Sequence, residues 1–561
     1  MVTKLLETND NCKMNMNMNK IIIGALFCGL GASAFAAERP NFLLIMTDDM
    51  GVGQFAPMAD QLAESDFDPK FSSFVQRLKK GDAYSGAEAL EAARKAMPTM
   101  ARLADDGLVF NRAFASSALC NPSRVGLASA MHPNRFGIYR NKDITDAPRA
   151  LPPENILLPH LKKAGYATAH IGKWHLGKLD DDMGDRIRKA HQEQNEKSER
   201  RMLDEAGYFG SVPADLHPLN NGFDYYYGYN FHQSVFYNAW NVWDGFEHAG
   251  KQTGYNTETF TQKAIDFIDT ATEQGKPFFI NLHVHAVHGP LFPNPPTKYM
   301  EPFTDAPELL KNFYGHLYAV DEGIRRIVEK LEADGQLDNT VIVFTSDNGA
   351  SVSRDNTLPG NAPHRGQKGQ YTLGGVRVPL VVYWPDRIKT GRKTDELASL
   401  LDLMPTAMDA AGVQIPDGLD GRSLLPLIDG AEQGPHDHLI WFGLHSRFWG
   451  FEAETVHNRR YLPLMTSKDP GAWLVVTDDW ALRFTGEIEP HHYSDMPMGG
   501  PATFELYSMK DDPGERTNLA TKKQKVVDQL RLHAVHYSLE LPQPNYWEKA
   551  KWMELIYSVQ P

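Results

Sequence analysis

Short, largely apolar runs alternate with longer amphipathic ones along this chain. The runs are NFLLIM at 41–46, ATAHIG at 167–172, PFFINLHV at 277–284, TVIVFTS at 340–346 and VPLVVYWP at 378–385. They lack the in-and-out alternation of a half-exposed strand, so they read as strands covered on both faces. Between them, MPTMARLADDG at 97–107, LLPHLKKAG at 157–165 and YAVDEGIRRIVEKLEADG at 318–335 repeat apolar residues at the helical period and end in Gly, a common helix stop. The pattern predicts an α/β fold: a large, mostly parallel sheet sandwiched by helices, with any ligand beyond the carboxyl ends of the strands. Two charged helical stretches, 68–96 and 184–207, read as surface insertions around the site mouth, either solvated helices or a lid. After LDGRSLLPLIDG at 419–430 the pattern becomes aromatic-rich and irregular. The expected division is a main domain over 38–430 and a smaller C-terminal α+β subdomain over 431–561.

The N-terminus departs from this pattern. Lys20 precedes the apolar run IIIGALFCGLGASAFA, and Ala34-Phe35-Ala36 offers the small residues of a signal-peptidase site. The run is too short for a stable membrane span. Residues 1–37 therefore read as a signal peptide, with MNMNMNK offering alternative starts, and the mature chain is expected to be secreted or periplasmic with no membrane span. Cleavage removes Cys12 and Cys28 and leaves Cys120 as the one cysteine of the mature chain, which excludes an internal disulfide. A formal charge of -14 argues against nucleic-acid binding, which rests on neutralising phosphates. An anionic substrate would need a local cluster of cations or a metal.

Two of the apolar runs end in polar pairs. FLLIMTDDMG delivers Asp48 and Asp49, and VIVFTSDNGA delivers Asp347 and Asn348. Either pair alone also fits a turn or helix cap. Together, at the ends of two sheet strands, three carboxylates and an amide make an oxygen shell suited to a hard divalent cation such as calcium or magnesium.

Cys120-Asn121-Pro122-Ser123-Arg124 resembles the Cys-x-Pro-Ser-Arg signature of type I sulfatases, whose cysteine is oxidised after translation to formylglycine. RPNFLLIMTDDMG, GYATAHIGKWHLG, NGFDYYYG, PFFINLHVHAVHGP, FTSDNGA, RGQKGQYTLGGVRVPLVVYWP, DLMPTAMDAAG and ELYSMKDDPGERTNLA resemble the family's other landmarks, in its order. The resemblance implies the alkaline-phosphatase-like fold and sulfate ester hydrolysis. It also implies one calcium ion held by Asp48, Asp49, Cys120, Asp347 and Asn348, and a formylglycine-generating or maturase enzyme as partner. Arg124 would steady the formylglycine and its metal ligation, and Lys173 would contact the sulfate. His175 would take a proton from the hydrated aldehyde, while His288 and Lys368 would flank the bridging oxygen. Of these two, His288 is the better general acid, because its reference pKa lies near neutrality.

Two positions depart from the family pattern. Leu127-Ala128-Ser129-Ala130 stands where Leu-Thr-Gly is usual, which puts helix packing behind the nucleophile in question, and Leu373 stands where relatives commonly have Glu. His283 and His285 alternate on a predicted strand and read as residues near the site floor rather than as a zinc pair. Aromatic stretches at 221–246 and 442–465 point to a sulfated polysaccharide or oligosaccharide, since Tyr and Trp stack on sugar faces. The alternatives are a phosphate or phosphonate monoesterase of the same superfamily and a noncatalytic binder of sulfated glycans in which Cys120 stays unmodified.

Overall fold

The computed structural model describes residues 39–76, 78, 82–141, 151–194, 198–231, 233–353, 355–356, 358–444, 471–486, 502–543, 552–553 and 558. The chain separates into Met1–Glu38 and Arg39–Pro561. The expected signal peptide lies outside the described residues, as does most of the aromatic stretch at 442–465. Among the described residues no helix is long and apolar enough to cross a membrane.

Arg39–Pro561 is built on a ten-stranded sheet. Its strands are β1 (Asn41–Thr47), β2 (Leu108–Phe114), β3 (Ala167–Lys173), β4 (Tyr225–Tyr229), β5 (Trp243–Asp244), β6 (Glu247–His248), β7 (Phe278–His283), β8 (Thr340–Ser346), β9 (Leu380–Tyr383) and β10 (Arg392–Ser399). They lie in the order β10-β2-β9-β8-β1-β7-β3-β4-β5-β6. The central run from β8 to β4 is parallel, β9 is antiparallel to both of its neighbours, and β10 pairs parallel with β2. Each of the five apolar runs forms a strand. On β1, Phe42, Leu44 and Met46 face one core, and Leu43 and Ile45 face the other. The helices Asn256–Glu273 and Glu308–Ala333 cover the second face, whereas Cys120–Ser129 and Leu403–Ala410 cover the first. Both faces are buried, which is why the central strands carry no polar alternation.

The stretch at 68–96 is more than a solvated insertion. Its helices Pro69–Gln76 and Gly86–Lys95 send Phe71, Phe74, Val75, Ala89 and Leu90 into the main core. The helices Asp181–Gln194 and Glu199–Glu205 are largely exposed, as their charge suggests.

A second sheet follows, with the antiparallel order β11 (Leu439–Leu444), β12 (Gly471–Val476), β13 (Trp480–Thr485) and β14 (Thr503–Ser508). One of its faces packs Trp473, Val475 and Leu482 against Val527, Leu530 and Ala534 of the helix Gln524–Ser538, together with Leu119. The other packs Trp441, Leu474 and Val476 against Phe114, Tyr371, Leu373 and Val376. The Trp441 indole N–H also donates to the carbonyl of Ala115 at 2.8 Å. The second sheet thus braces the residues just before Cys120 and those just after Lys368. Leu373 is part of this apolar contact, and its backbone N–H donates to Glu515 Oε2 at 3.0 Å, so a distant segment brings a carboxylate to this position.

The helix Cys120–Ser129 ends at Ala130, which has φ 54° and ψ 25° and whose N–H donates to the carbonyl of Gly126. This left-handed cap is the place where glycine is favoured, because an L side chain there is strained by about 1–2 kcal/mol. The departure from Leu-Thr-Gly therefore leaves the helix end in place at an energetic cost. Burial of the Ala130 methyl offsets part of it, by about 0.8 kcal/mol. Ala130→Gly is expected to raise stability by up to about 1 kcal/mol, read as a higher midpoint in calorimetry. A lower midpoint would mean that methyl packing outweighs the backbone strain.

Candidate active site

Four adjacent parallel strands, β8-β1-β7-β3, end side by side, and each delivers polar groups at its carboxyl end. Asp48 and Asp49 follow β1, Lys173 ends β3, His288 lies beyond β7, and Asp347 and Asn348 follow β8. Cys120 opens the helix that follows β2, and the helix's first turns also supply Arg124. Lys368 arrives on the loop before β9. Asn361 holds that loop by bonds to the backbone of Ala350 and Gly366, and the Lys368 N–H donates to the Ala350 carbonyl at 3.0 Å.

The charges interlock. Lys173 Nζ lies 2.6 Å from Asp48 Oδ2, and Lys368 Nζ lies 2.6 Å from Asp49 Oδ1. Arg124 donates from Nη2 and Nε to Asp347 Oδ2 at 2.8 and 3.2 Å, and its Nη2 is 3.6 Å from Asp48 Oδ2. Asn348 Nδ2 donates to Asp49 Oδ1 at 2.8 Å. His288 Nε2 stands 3.8 Å from Asp49 Oδ2. The His288 Nδ1 donates to the carbonyl of Gly289 at 2.7 Å, which leaves Nε2 facing Asp49. All of these side chains are buried except His288, which is 13% exposed. Burial alone would raise the Asp48 carboxyl, but Lys173, with His288, Arg124 and Lys368, holds it well below the usual range. Asp347 is pushed up by burial and by Asp48 beside it. Burial, then Lys368, pushes His288 down, so the site disfavours its charged form.

Backbone strain marks the same place. Asp49 has φ 64° and His175 has φ 53°, both left-handed and neither glycine, a costly conformation that recurs at functional sites. Asp49 is held there by its N–H bond to Asp347 Oδ1 at 3.2 Å. His175 is tied to the Cys120 helix through its carbonyl, which accepts from Asn121 Nδ2.

Asp48 Oδ1 and Asn348 Oδ1 are buried without a hydrogen-bond partner, and buried lone pairs in such a shell are normally satisfied. The ligand atoms of Asp48, Cys120 and Asp347 lie within 4.8 Å of one another, as do those of Asp48, Asp49 and His288. Orphaned oxygens among carboxylates fit a hard cation, and calcium is compatible with that donor set. The His pair of the sequence reading separates. His283 ends β7 and meets Arg124 Nη1 through Nδ1 at 3.2 Å, whereas His285 lies past the strand end and meets the Tyr229 hydroxyl at 3.1 Å. Asn141 was not legible as a site residue. Its Nδ2 lies 3.5 Å from Cys120 Sγ and its Oδ1 accepts the Asn121 N–H at 3.1 Å, yet no local motif surrounds it.

Comparison with known proteins agrees with this geometry. The family model described as Sulfatase matches residues 40–413, and the model described as N-sulphoglucosamine sulphohydrolase, C-terminal, matches 372–466. An uncharacterized sulfatase, YdeN, of Escherichia coli (strain K12) is 34% identical over 424 residues, covering 74% of this chain and 71% of that one. The N-acetylgalactosamine-6-sulfatase of Homo sapiens is 29% identical over 430 residues, covering 71% and 67%. Among solved structures, Ps i-CgsB in complex with k-i-k-neocarrahexaose aligns with a TM-score of 0.65 at 21% identity, covering 93% of this chain and 98% of that one. BT4656 in complex with D-glucosamine-2-N,6-O-disulfate aligns with a TM-score of 0.58 at 20% identity, covering 91% and 100%. These two likenesses concern the fold. With the family model spanning most of the chain, and the cysteine signature set among the carboxylates and cations described above, this chain belongs to the sulfatase family, the type I sulfatases of the alkaline-phosphatase-like superfamily, and is a sulfuric ester hydrolase.

Proposed function

We propose that this chain is an exported enzyme that removes sulfate from a sulfated polysaccharide or oligosaccharide, with Cys120 matured to formylglycine and one calcium ion held by Asp48, Asp49, Cys120, Asp347 and Asn348. The observation that carries the reading is the convergence of Cys120 with three buried carboxylates, Arg124, Lys173, His288 and Lys368 at the ends of neighbouring strands. The carbohydrate reading is supported by the substrate named for the human relative and by the sugars in the two structural neighbours. The N-terminal apolar run with its small-residue exit supports export.

When bound, calcium supplies positive charge and lowers the pKa of a ligating hydroxyl. Formylglycine supplies a nucleophilic hydroxyl at position 120. The chain's own residues do the rest. Arg124 offsets the carboxylates and steadies residue 120 and the metal ligands, while Lys173 contacts the sulfate oxygens and keeps the dispersed negative charge of the ester from being repelled. His175 takes the proton from the second hydroxyl of the hydrated aldehyde, the one that expels the sulfate and regenerates the aldehyde. His288 donates a proton from Nε2 to the leaving oxygen, with Lys368 beside it. With Nδ1 committed to the Gly289 carbonyl, Nε2 takes up a proton from solvent when the anionic substrate offsets the charge of the imidazolium, and the burial that disfavours this charged form makes the proton readily given up to the leaving oxygen.

Three outcomes follow. Cys120→Ala is expected to fold with an unchanged melting midpoint while sulfate release falls to background, and mass spectrometry of the wild-type peptide is expected to find an aldehyde in place of the thiol. Turnover by the alanine variant would remove the formylglycine reading. Chelation is expected to abolish activity, with calcium restoring it better than zinc. Two zinc ions per chain by elemental analysis would instead favour a phosphatase-like site. His288→Ala is expected to lose about 10²–10⁴-fold on sugar sulfates, whose leaving alkoxides need a proton, and far less on nitrophenyl sulfate. Equal losses on both substrates would take the acid role away from His288.

A further inference from the structure

A small cavity is lined by Arg124 and by none of the carboxylates it serves. It has about 20 Å³ of space for the centre of a water, and its lining combines apolar Leu127, Trp174 and Phe223 with His170, Asn281 and His283. His170 lies on β3 and is in register with Asn281 on β7, two residues before His283. The rings of His170 and His283 meet edge-on with centroids 4.8 Å apart. His170 Nδ1, His283 Nε2 and Asn281 Oδ1 are buried and have no hydrogen-bond partner. Three such atoms on residues that line one cavity are unusual in a native fold.

The partners of the other ring nitrogens fix the tautomers. Arg124 Nη1 can only donate, so His283 Nδ1 accepts and the proton sits on Nε2. The carbonyl of Lys173 can only accept, so His170 Nε2 donates to it at 3.0 Å and Nδ1 is an acceptor. Burial pushes His170 down to about 3, and burial with the neighbouring His170 and Arg124 pushes His283 well down, so both rings are neutral.

We propose that one water bridges these atoms and that His170 and His283 are positioning residues for Arg124. The water accepts from His283 Nε2–H and donates to His170 Nδ1 and Asn281 Oδ1. Its site exceeds the ~10–15 Å³ that one water needs and offers three partners. Because Arg124 Nη1 also donates to the Lys173 carbonyl at 3.0 Å, the bonds close into a cycle: Arg124, His283, water, His170, the Lys173 carbonyl, and Arg124 again. The cycle fixes both N–H groups of Nη1 and so the plane of the guanidinium that grips Asp347. The neutral rings take no charge from the site.

This inference rests on Arg124 serving sulfate ester hydrolysis, so the matured full-length enzyme is assayed first. A wild type without sulfatase activity would retire that reading, whereas an active wild type with indifferent variants would retire the water cycle alone. His283→Leu is expected to lower kcat by about 10–100-fold with KM little changed, after normalising for aldehyde content at position 120. His283→Asn, whose Oδ1 can accept from Arg124 in place of Nδ1 but which no longer reaches the water, is expected to recover part of kcat and not all of it. His170→Met breaks the cycle at the water and is expected to lie between them. A high-resolution crystal structure is expected to show one ordered water touching His170, Asn281 and His283. An unchanged kcat in His283→Leu, equal losses in the Leu and Asn variants, or a dry cavity would each overturn the proposal. Should His283→Leu fail to fold, His170→Met and the crystal structure decide.

Discussion

Three carboxylates buried within a few ångströms of one another are the constraint on which the rest of this molecule depends. Asp48, Asp49 and Asp347 repel each other in a place with little water, and each is met by a cation from another part of the chain: Lys173, Lys368 and Arg124. The three negative and three positive charges cancel. Removing one partner from such a set leaves an uncompensated buried charge, which costs more than the pair contributes. The balance also suits the chemistry proposed for it. A divalent ion added to a neutral set leaves an excess of two positive charges, which draws in a singly charged sulfate ester despite an overall charge of -14.

The fold meets this constraint by bringing four parallel strand ends together and bracing the two segments that arrive from elsewhere. Cys120 and Arg124 depend on a helix whose entry is packed by Leu119 and Phe114 against the second sheet. Lys368 depends on a loop pinned by Asn361 and on Tyr371 and Leu373, which share the same second-sheet contact. The small C-terminal sheet therefore braces the segments that carry Cys120 and Lys368, the positions to which the proposed chemistry assigns the nucleophile and a group beside the bridging oxygen. Left-handed backbone at Asp49 and His175 is tolerated because Asp347 and Asn121 hold it in place.

Much of this was legible in the amino-acid sequence, for a physical reason. A central strand buried on both faces must be continuously apolar, so β1, β7 and β8 announce themselves, and the polar residues at their ends stand out. Strands at the flanks do not. β2 interrupts its apolar run with the partly exposed Asn111 and Arg112, and β10 carries charges that suit a sheet edge. Contacts made across strand register were equally hidden. Nothing in ATAHIG or PFFINLHV indicates that His170 and His283 meet ring to ring, because that depends on which strands are neighbours. Asn141 beside Cys120 and Glu515 beneath Leu373 are likewise long-range partners without a local signature.

The account is tested most directly by anomalous diffraction from crystals of the matured protein grown with calcium and soaked with a slowly turned-over sulfated oligosaccharide. It predicts a single calcium peak touching Asp48, Asp49, Asp347 and Asn348, with the sulfate group between residue 120, Lys173, His288 and Lys368. A calcium peak elsewhere, or a sulfate bound away from residue 120 in an enzyme that remains active, would contradict it.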